Sequence, residues 1–425
     1  MTRGVALDGR SSGAVAYVPY ATYATLLLTL VNIFNYMDRM LLAVIVQPIK
    51  LDLHLSDTQI GLLSGFAFVA MYAAVSVPLA QLSDRTGRRR MLAAAIAIWS
   101  VLTAACGTAH SFTHLVLARL GVGVGEAAYM PSSHALLAEI YPQGRRALPI
   151  AIVTAGAAIG IAVGLSVGGI IAARFGWRVA FVVLGIPGLL LAAVVFLTLP
   201  EPQRRSVSGR RLPLRSTLHL LFRIRTYRWI TLAHPFYQFS TAGVLTWLPA
   251  FFMRSHGMTV ARAGLFFGIT YGMGVAVGCC FGAYLLQTIT HRAVGRSLRL
   301  AGLLILLAFP FYVAALLISA MWSSLTFMMI FAALMGSAGG PIIAGQQGVV
   351  GNTMRAVASA ASLFIASYLG GGLGPLLVGI GSERLSPLLG AQALRFSLLV
   401  ASVAIIGAGW CLILASRRFS ADAID

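Results

Sequence analysis

Charge is scarce in this chain of 425 residues. Asp, Glu, Lys and Arg make up only 10% of the sequence, and hydrophobic residues make up 59%. The mean hydropathy is +0.88. Soluble domains carry far more charge than this, so the composition excludes a soluble protein.

Three other absences narrow the class further. The four cysteines, which lie in or beside apolar runs, are too few and too dispersed for a disulfide framework or a zinc site. We find no Walker sequence, so ATP is not expected to drive the protein. Residues 1–19 are polar and show no cleavable signal peptide, so we expect the first apolar segment to be retained.

Apolar runs of about 20 residues recur along the chain, and each is long enough for a helix that crosses a bilayer. The alternation at period two that is typical of membrane barrel strands is absent. The sequence therefore predicts an all-α membrane protein. Twelve spans are predicted, near 20–48, 58–82, 91–110, 113–140, 147–173, 177–199, 227–254, 261–288, 297–319, 322–346, 355–382 and 390–416.

A polar stretch divides these spans into six and six. Pro200 and Pro202 stop the sixth span, and an Arg/Ser-rich segment follows. From Leu214 apolar residues recur at helical spacing among arginines, which indicates a short amphipathic helix at the membrane interface, although a plain flexible linker fits equally well. The predicted layout is an N-terminal six-helix bundle, a cytoplasmic connector and a C-terminal six-helix bundle, at 1–199, 200–226 and 227–425.

The formal net charge of +20 could suggest a nucleic-acid partner, but its distribution argues against one. Most of the 31 Lys and Arg residues fall in segments on one side of the predicted threading. The positive-inside rule then places both termini in the cytoplasm. We expect a monomeric integral protein of a bacterial-type inner membrane, with no nucleic-acid partner.

Two carboxylates and two guanidiniums lie in the middle of apolar spans: Asp38, Arg39, Arg119 and Glu126. A charge at bilayer depth is costly, and it usually faces a bundle interior or a water-filled path. The helical rise places Asp38, Arg119 and Glu126 in one band about 10 Å deep. Asn35 shares a face of the first span with Asp38 and Arg39.

These four charges predict a proton-coupled anion site. Burial disfavours the charged form of a carboxylate, whereas a nearby guanidinium favours it, so a carboxylate that alternates between the two takes up and releases a proton. We interpret Asp38 and Glu126 as the proton-coupling residues. Arg39 and Arg119, with Asn35, are predicted headgroup ligands, because a guanidinium fork matches phosphate or carboxylate. A fixed ion-pair network that only sets packing is the alternative.

A tight basic turn follows the second span, at residues 84–90. An acid in such a turn can bond to neighbouring helix ends and arginines in one conformation and release them in another. Glu139 and Arg145 are the expected partners. The predicted conformational gating residues are Asp84, Arg85, Gly87, Arg88, Glu139 and Arg145.

Spans 7–12 carry no ionised residue away from their ends. Their aromatic and amide side chains, with Tyr129 of span 4, are predicted to line a substrate cavity opposite the charged half, an arrangement that suits an amphiphile. Simple packing of the aromatics is the alternative. The predicted cavity residues are Tyr129, Tyr237, Trp247, Gln346 and Gln347.

Glycines recur at four-residue intervals in span 5, at Gly156, Gly160, Gly164 and Gly168, and again in span 8 from Gly264. This spacing aligns small residues on one helix face and lets neighbouring backbones approach closely. Two interpretations of spans 5 and 8 stay open: they line the seam between the halves, or their glycines only allow ordinary close packing.

The turn at 84–90 resembles the signature between helices 2 and 3 of the major facilitator superfamily, with Ala80 where its leading glycine is expected. Four further motifs are Asn35-Tyr36-Met37-Asp38-Arg39, Leu55-Ser56-Asp57-Thr58-Gln59, Gly123-x-Gly125-Glu126 and Gly372-Leu373-Gly374-Pro375. Together they resemble the Spinster family of lysolipid transporters, a narrower resemblance that implies alternating-access transport of a lysophospholipid or a sphingoid phosphate such as sphingosine-1-phosphate. It also implies protons as the coupling ion and no other cofactor.

Two alternatives stay open. Asp-Arg and Gly-x-Gly-Glu elements also occur singly in organic-anion symporters, so a drug or organic-anion exporter or symporter of the same superfamily is one. A membrane lysolipase is the other, because residues 164–168 satisfy a Gly-x-Ser-x-Gly nucleophile pattern around Ser166. That pattern needs a strand-to-helix turn, whereas here it lies inside a predicted helix, so we expect no enzyme.

Overall fold

The structure is a computed structural model that describes residues 11–142, 145–199, 214–288, 294–351 and 354–423. The side chains of residues 11–19, Asp84 and Arg85 are outside the described part. Within the described ranges the chain is helical and contains no β-strand. The predicted all-α class is confirmed.

Six helices form the first half. Two of them are made of consecutive segments, because α2 contains a turn of wider π-helix and α4 is interrupted at Ala128. Their bounds are Ser11–Asp52 for α1, Asp57–Gly61, Leu62–Phe66 and Ala67–Thr86 for α2, Arg88–Cys106 for α3, Phe112–Ala127 and Tyr129–Ile140 for α4, Ala147–Phe175 for α5 and Trp177–Thr198 for α6.

Six more helices form the second half, after a connector helix at Leu214–Arg223. Residues 200–213, on which the predicted boundary falls, lie outside the described residues. The bounds are Arg225–His256 for α7, Val260–Thr288 for α8, Val294–Leu317 for α9, Met321–Gly336 and Gly339–Gly348 for α10, Arg355–Ile365, Ala366–Gly372 and Leu373–Leu389 for α11, and Ala393–Ala401 and Val403–Asp422 for α12.

Each predicted span overlaps one of these helices, but the ends differ because the spans were placed by apolar content. Backbone geometry sets several real ends: Gly87, Gly176 and Gly257 have φ angles of 103°, 86° and 63°, which L side chains rarely adopt. Helix α1 begins at Ser11 and α12 runs to Asp422, so both continue beyond the apolar runs.

Within the described residues, nine helical stretches are long and apolar enough to cross a membrane, and one of them, Val357–Asp422, contains both α11 and α12. Helices α4 and α7 are not among the nine. Helix α4 is short in each of its two segments and carries the buried residues Arg119 and Glu126.

The helix connections alternate between two ends of the molecule. We call the end that carries Gly87, Arg145 and the connector helix the basic end. The opposite end, which carries Asp57, Gly176 and Gly257, is called the far end.

The two halves meet along α5 and α8. A methyl group on Gly169 of α5 would lie 2.9 Å from the carbonyl oxygen of Val260 in α8, so the backbones touch there. The regular glycine series of α5 has a different role: Gly156 and Gly164 face Thr29 and Met37 of α1, inside the first half. The seam is therefore made by other residues of α5 than the series itself.

Candidate functional site

Arg39 of α1 and Glu126 of α4 form an ion pair, with 2.5 Å between Nε and Oε2. The Glu126 side chain is 0% exposed, while the Arg39 side chain is 25% exposed. The pair therefore has one end sealed in the first half and one end that reaches open space.

Asp38 and Arg119 form a second, looser pair beside the first. Their Oδ1 and Nη1 atoms are 3.9 Å apart, and both side chains are almost fully buried. The Thr103 hydroxyl of α3 donates a hydrogen bond to Asp38 Oδ2. Together the two pairs join α1, α3 and α4, and the structure brings all four predicted charges into one cluster, which we call the charge cluster.

Small residues let α4 approach its neighbours closely enough to build this cluster. A methyl group on Gly125 would lie 2.8 Å from the backbone nitrogen of Trp99 in α3, and one on Gly123 would lie 2.9 Å from the carbonyl oxygen of Phe68 in α2. The Gly-x-Gly-Glu motif thus has a physical reason. Its glycines let the α4 backbone pack directly against α2 and α3, and the next residue, Glu126, can then reach Arg39 of α1.

Aromatic rings surround the guanidiniums. Arg39 Cζ lies 5.0 Å from the ring centroid of Phe68 and 5.3 Å from those of Tyr36 and Tyr72. Arg119 Cζ lies 5.3 Å from the Phe68 centroid. Cation–π contacts of this kind stabilise a cation by about 0.5–2 kcal/mol, more when it is desolvated. None of these rings was predicted to contact a guanidinium, because they lie on α1 and α2 at ordinary apolar positions.

Several polar atoms of the cluster are buried without a hydrogen-bond partner among the described residues: Asn35 Nδ2, Asp38 Oδ1, Glu126 Oε1, and Nε and Nη1 of Arg119. Buried polar groups are normally bonded, and each one left unpaired costs about 1–3 kcal/mol. The cluster thus contains buried hydrogen-bond donors and acceptors that are unsatisfied. It can accept a proton on either carboxylate and offer guanidinium donors to an anion.

A second group of charges closes the far end. Arg254 of α7 donates two hydrogen bonds to Asp57 of α2, at 2.7 and 2.8 Å. The same carboxylate accepts hydrogen bonds from Lys50 at 2.5 Å and from Ser382 at 2.6 Å. Because Arg254 and Ser382 belong to the second half, Asp57 ties the halves together. We call these four residues the far-end lock.

Two further bonds reinforce the far-end lock. Arg254 Nε donates to Gln47 Oε1 of α1 at 2.8 Å, and the Thr58 backbone N–H donates to Glu383 of α11 at 3.0 Å. Gly379 lies against the backbone of Asp57, where a methyl group would not fit. All of these hydrogen bonds join the two halves at this end, so the far end is closed.

The predicted cavity residues do not come together. The Tyr129 hydroxyl donates to the Leu28 carbonyl at 2.6 Å inside the first half, and Tyr237 donates to the Met335 carbonyl at 3.1 Å inside the second. Trp247 Nε1 donates to the carbonyl oxygen of Pro375 at 2.9 Å, close to the far-end lock.

The two glutamines also point apart: Gln346 is buried, with Nε2 bonded to the Ala358 carbonyl at 2.8 Å, and Gln347 is exposed. Polar side chains on a helix that is apolar all round carry no signal of which face they occupy, and here backbone carbonyls take up four of the five.

At the basic end, the gating residues are only partly paired as predicted. Gly87, with φ 103°, makes the tight turn between α2 and α3. Arg88 Nε lies 2.6 Å from Glu139 Oε1 of α4, so Glu139 pairs with Arg88, while Arg145 is exposed. The predicted roles of Asp84 and Arg85 concern side chains that lie outside the described residues.

The Gly-x-Ser-x-Gly pattern around Ser166 lies within the uninterrupted helix α5. No strand-to-helix turn is formed there, so the geometry that a nucleophile elbow needs is missing.

The chain is similar in sequence to known membrane transport proteins. The profile of the Major Facilitator Superfamily matches residues 28–375. An "MFS-type efflux pump" of Mycolicibacterium smegmatis is 33% identical over 93% of this chain and 92% of its own length. The "Sphingosine-1-phosphate transporter SPNS2" of Danio rerio is 27% identical over 53% of this chain and 46% of its own length.

A solved structure is also similar. The crystal structure of a bacterial homologue of the human lysosomal transporter Spinster, in an inward-facing and unoccupied conformation, has a TM-score of 0.87 and 28% sequence identity. The match covers 96% of this chain and 99% of that one.

Proposed function

This chain belongs to the major facilitator superfamily of membrane transporters, and we propose that it moves lysophospholipids or sphingoid phosphates by alternating access, with protons as the coupling ion. The observation that carries the proposal is the charge cluster, where two carboxylate–guanidinium pairs lie buried in an apolar half with unpaired donors and acceptors.

Arg39 is the residue that we propose contacts the lipid headgroup. It is the exposed member of its ion pair, and its guanidinium fork matches a phosphate. The three rings around it form an apolar wall against which the start of a hydrocarbon chain can pack. Arg119 and Asn35 are buried near Arg39, and they would contribute a positive charge and a polar amide to the same site.

Proton coupling follows from competition for Arg39. A proton on Glu126 removes the negative charge that holds the guanidinium, which becomes available to an anionic headgroup. Loss of that proton restores the ion pair and expels the headgroup. Asp38 plays the same part for Arg119, with Thr103 as the donor that favours its ionised form. Lipid and proton would therefore be bound together and released together.

Alternating access requires that the far end open and close. We propose a bacterial inner membrane with both termini cytoplasmic; the arginines of the basic end support this orientation through the positive-inside rule. The far-end lock would then close the periplasmic side in this state. Opening that side would require Asp57 to leave Arg254 and Ser382.

A second candidate function has its own support. The efflux pump of Mycolicibacterium smegmatis is similar over nearly the whole chain, so export of drugs or organic anions competes with lipid transport. An amphiphile is the better match to a guanidinium flanked by aromatic rings, because a short hydrophilic anion has no apolar part that could pack against the rings.

Competition in proteoliposomes tests this choice. Uptake of a labelled lysophospholipid should be inhibited by long-chain lysolipids and by sphingosine-1-phosphate, and much less by sugar acids or cationic dyes. Equal competition by short hydrophilic anions would overturn the lipid proposal, and export of dyes that is unaffected by lysolipids would favour the efflux function.

A further inference from the structure

A long apolar groove opens on the membrane-facing side of the second half, away from the charge cluster. It has a volume of about 700 Å³ and lies between α11 and α12 over a base formed by α7. Small residues create it: Gly381, Ala401, Ala404 and Gly407 line the groove where larger side chains would fill it. A methyl group on Gly407 would lie only 3.2 Å from the Phe236 ring, which forms part of the base.

The groove follows α12 for a length comparable to one leaflet. Its α12 wall extends from Ser397, near the far end, to Trp410, a distance of about 20 Å at the helical rise. One leaflet of the hydrocarbon core is about 15 Å thick. The groove thus has the dimensions of an extended acyl chain that enters from the far end.

An exposed cation continues the α11 wall of the groove toward the far end. Arg384 is exposed, and it follows Leu377 and Gly381 on the same face of α11 at helical spacing. The neighbouring acid, Glu383, accepts a hydrogen bond from Thr58 across the halves. A cation above an apolar channel has the complementary pattern of a phospholipid, with its phosphate at the interface and its chain below.

We propose that this groove binds one acyl chain of a phospholipid from the far-end leaflet, with the lipid phosphate at Arg384. An anionic headgroup is favoured, because a zwitterion brings its own cation to the same place. This is a binding site separate from the charge cluster, and it does not depend on what the protein transports.

Tryptophan quenching by brominated lipids tests the proposal on the intact protein. Trp410 lines the groove and is 54% exposed, while Trp322 is 62% exposed and lies outside it. The contribution of each is the signal lost in Trp410→Phe or Trp322→Phe. Brominated-chain phosphatidylglycerol, added to protein in mild detergent, should quench the Trp410 signal saturably at low mole fraction, at least threefold more effectively than brominated phosphatidylcholine. Trp322 should be quenched only in proportion to the lipid fraction.

Two variants identify the contacts. Arg384→Gln should abolish the preference for phosphatidylglycerol, and Arg262→Gln, an exposed arginine of the same end on α8, should leave it intact. Ala404→Phe should remove the saturable component by filling the groove. The proposal is overturned if Trp410 and Trp322 are quenched in parallel, or if the preference survives Arg384→Gln.

Discussion

Two groups of charges in this molecule differ in where they lie and in whether their polar atoms all have hydrogen-bond partners. The charge cluster lies inside the first half and includes buried atoms such as Asp38 Oδ1 and Glu126 Oε1 that have no hydrogen-bond partner. The far-end lock lies between the halves, and both carboxylate oxygens of Asp57 accept two hydrogen bonds each.

This difference indicates what each group is suited to do. An unsaturated buried cluster gains free energy by binding a proton or an anion, since unpaired buried groups are costly. The far-end lock has no unsatisfied oxygen on Asp57, so it gains no free energy from a ligand. It stabilises one arrangement of the two halves, and its bonds must break before the alternative arrangement can form. Chemistry and gating are thus separated in space: Asp38 and Lys50, one from each group, are 12 residues apart on α1, about 18 Å at the helical rise.

The largest effect is expected from neutralising the carboxylates of the charge cluster. Glu126→Gln and Asp38→Asn should reduce uptake driven by a pH gradient to the level of empty liposomes, because the proton no longer has an acceptor. Asp52→Asn is the matched control: Asp52 also lies on α1, but it is exposed and bonded to Arg178. Uptake in proteoliposomes, with and without an imposed pH gradient, measures the effect. Unchanged pH dependence in both variants would contradict the assignment.

The next effect should come from breaking the far-end lock. Arg254→Gln removes two hydrogen bonds to a charged group, worth about 1.5–3 kcal/mol each. The equilibrium should shift toward a state with the far end open by roughly 10-fold or more. Lys50→Gln removes a single partner of Asp57 and should shift it less.

Distances between spin labels measure this shift. Leu51 of α1 and Leu388 of α11 are exposed far-end positions in opposite halves, suitable for cysteine labels after the exposed Cys279 and Cys280 are replaced by Ser. A longer distance should appear in Arg254→Gln and not in the exposed-arginine control Arg262→Gln. An unchanged distribution in Arg254→Gln would show that the lock does not hold the closed state.

A smaller effect is expected from Arg39→Lys. Lysine keeps the charge but loses the planar fork and its stacking on the rings, so the KM for lysophospholipid should rise about 3- to 10-fold, or about 0.7–1.4 kcal/mol, the range of one ordinary hydrogen bond. Arg39→Gln should raise it further. Arg178→Lys, at the exposed far end, serves as control, and equal KM values in all of these proteins would exclude Arg39 as a headgroup ligand.

The smallest effect should come from the basic end. The Arg88 and Glu139 side chains are about one-fifth exposed, so we take the upper end of the contribution of ion pairs that reach solvent, about 1 kcal/mol. Because both lie in the first half, Arg88→Gln should lower the melting temperature by no more than about 4 °C and leave the far-end label distance unchanged. A shift as large as that of Arg254→Gln would mean that the two ends are directly coupled.

The sequence contains enough to predict the charge cluster but not its pairing. Intramembrane charges are rare, and the helical rise alone puts Asp38, Arg119 and Glu126 at one depth. Which guanidinium pairs with which carboxylate depends on the rotation of each helix about its axis. The sequence of a helix that is apolar on all sides does not indicate that rotation. Thr103 could not have been found, since a lone threonine in an apolar span carries no signal.

The far-end lock was missed for another reason. Lys50 and Arg254 lie at span ends, where positive charge is expected from topology alone. Only the contact between two halves, distant in sequence, shows that both bind Asp57. The aromatic and amide residues predicted to line a cavity were likewise chosen by type, and the structure places them at separate positions, four of them bonded to backbone carbonyls.

Proton movement coupled to lipid movement tests the central claim most directly. Proteoliposomes loaded with a pH-sensitive dye receive an external lysophospholipid in the absence of any gradient. We predict that the internal pH changes with the unmodified protein, in step with lipid uptake, and that it stays constant with Glu126→Gln. Lipid uptake by the unmodified protein with no change of internal pH would contradict the account.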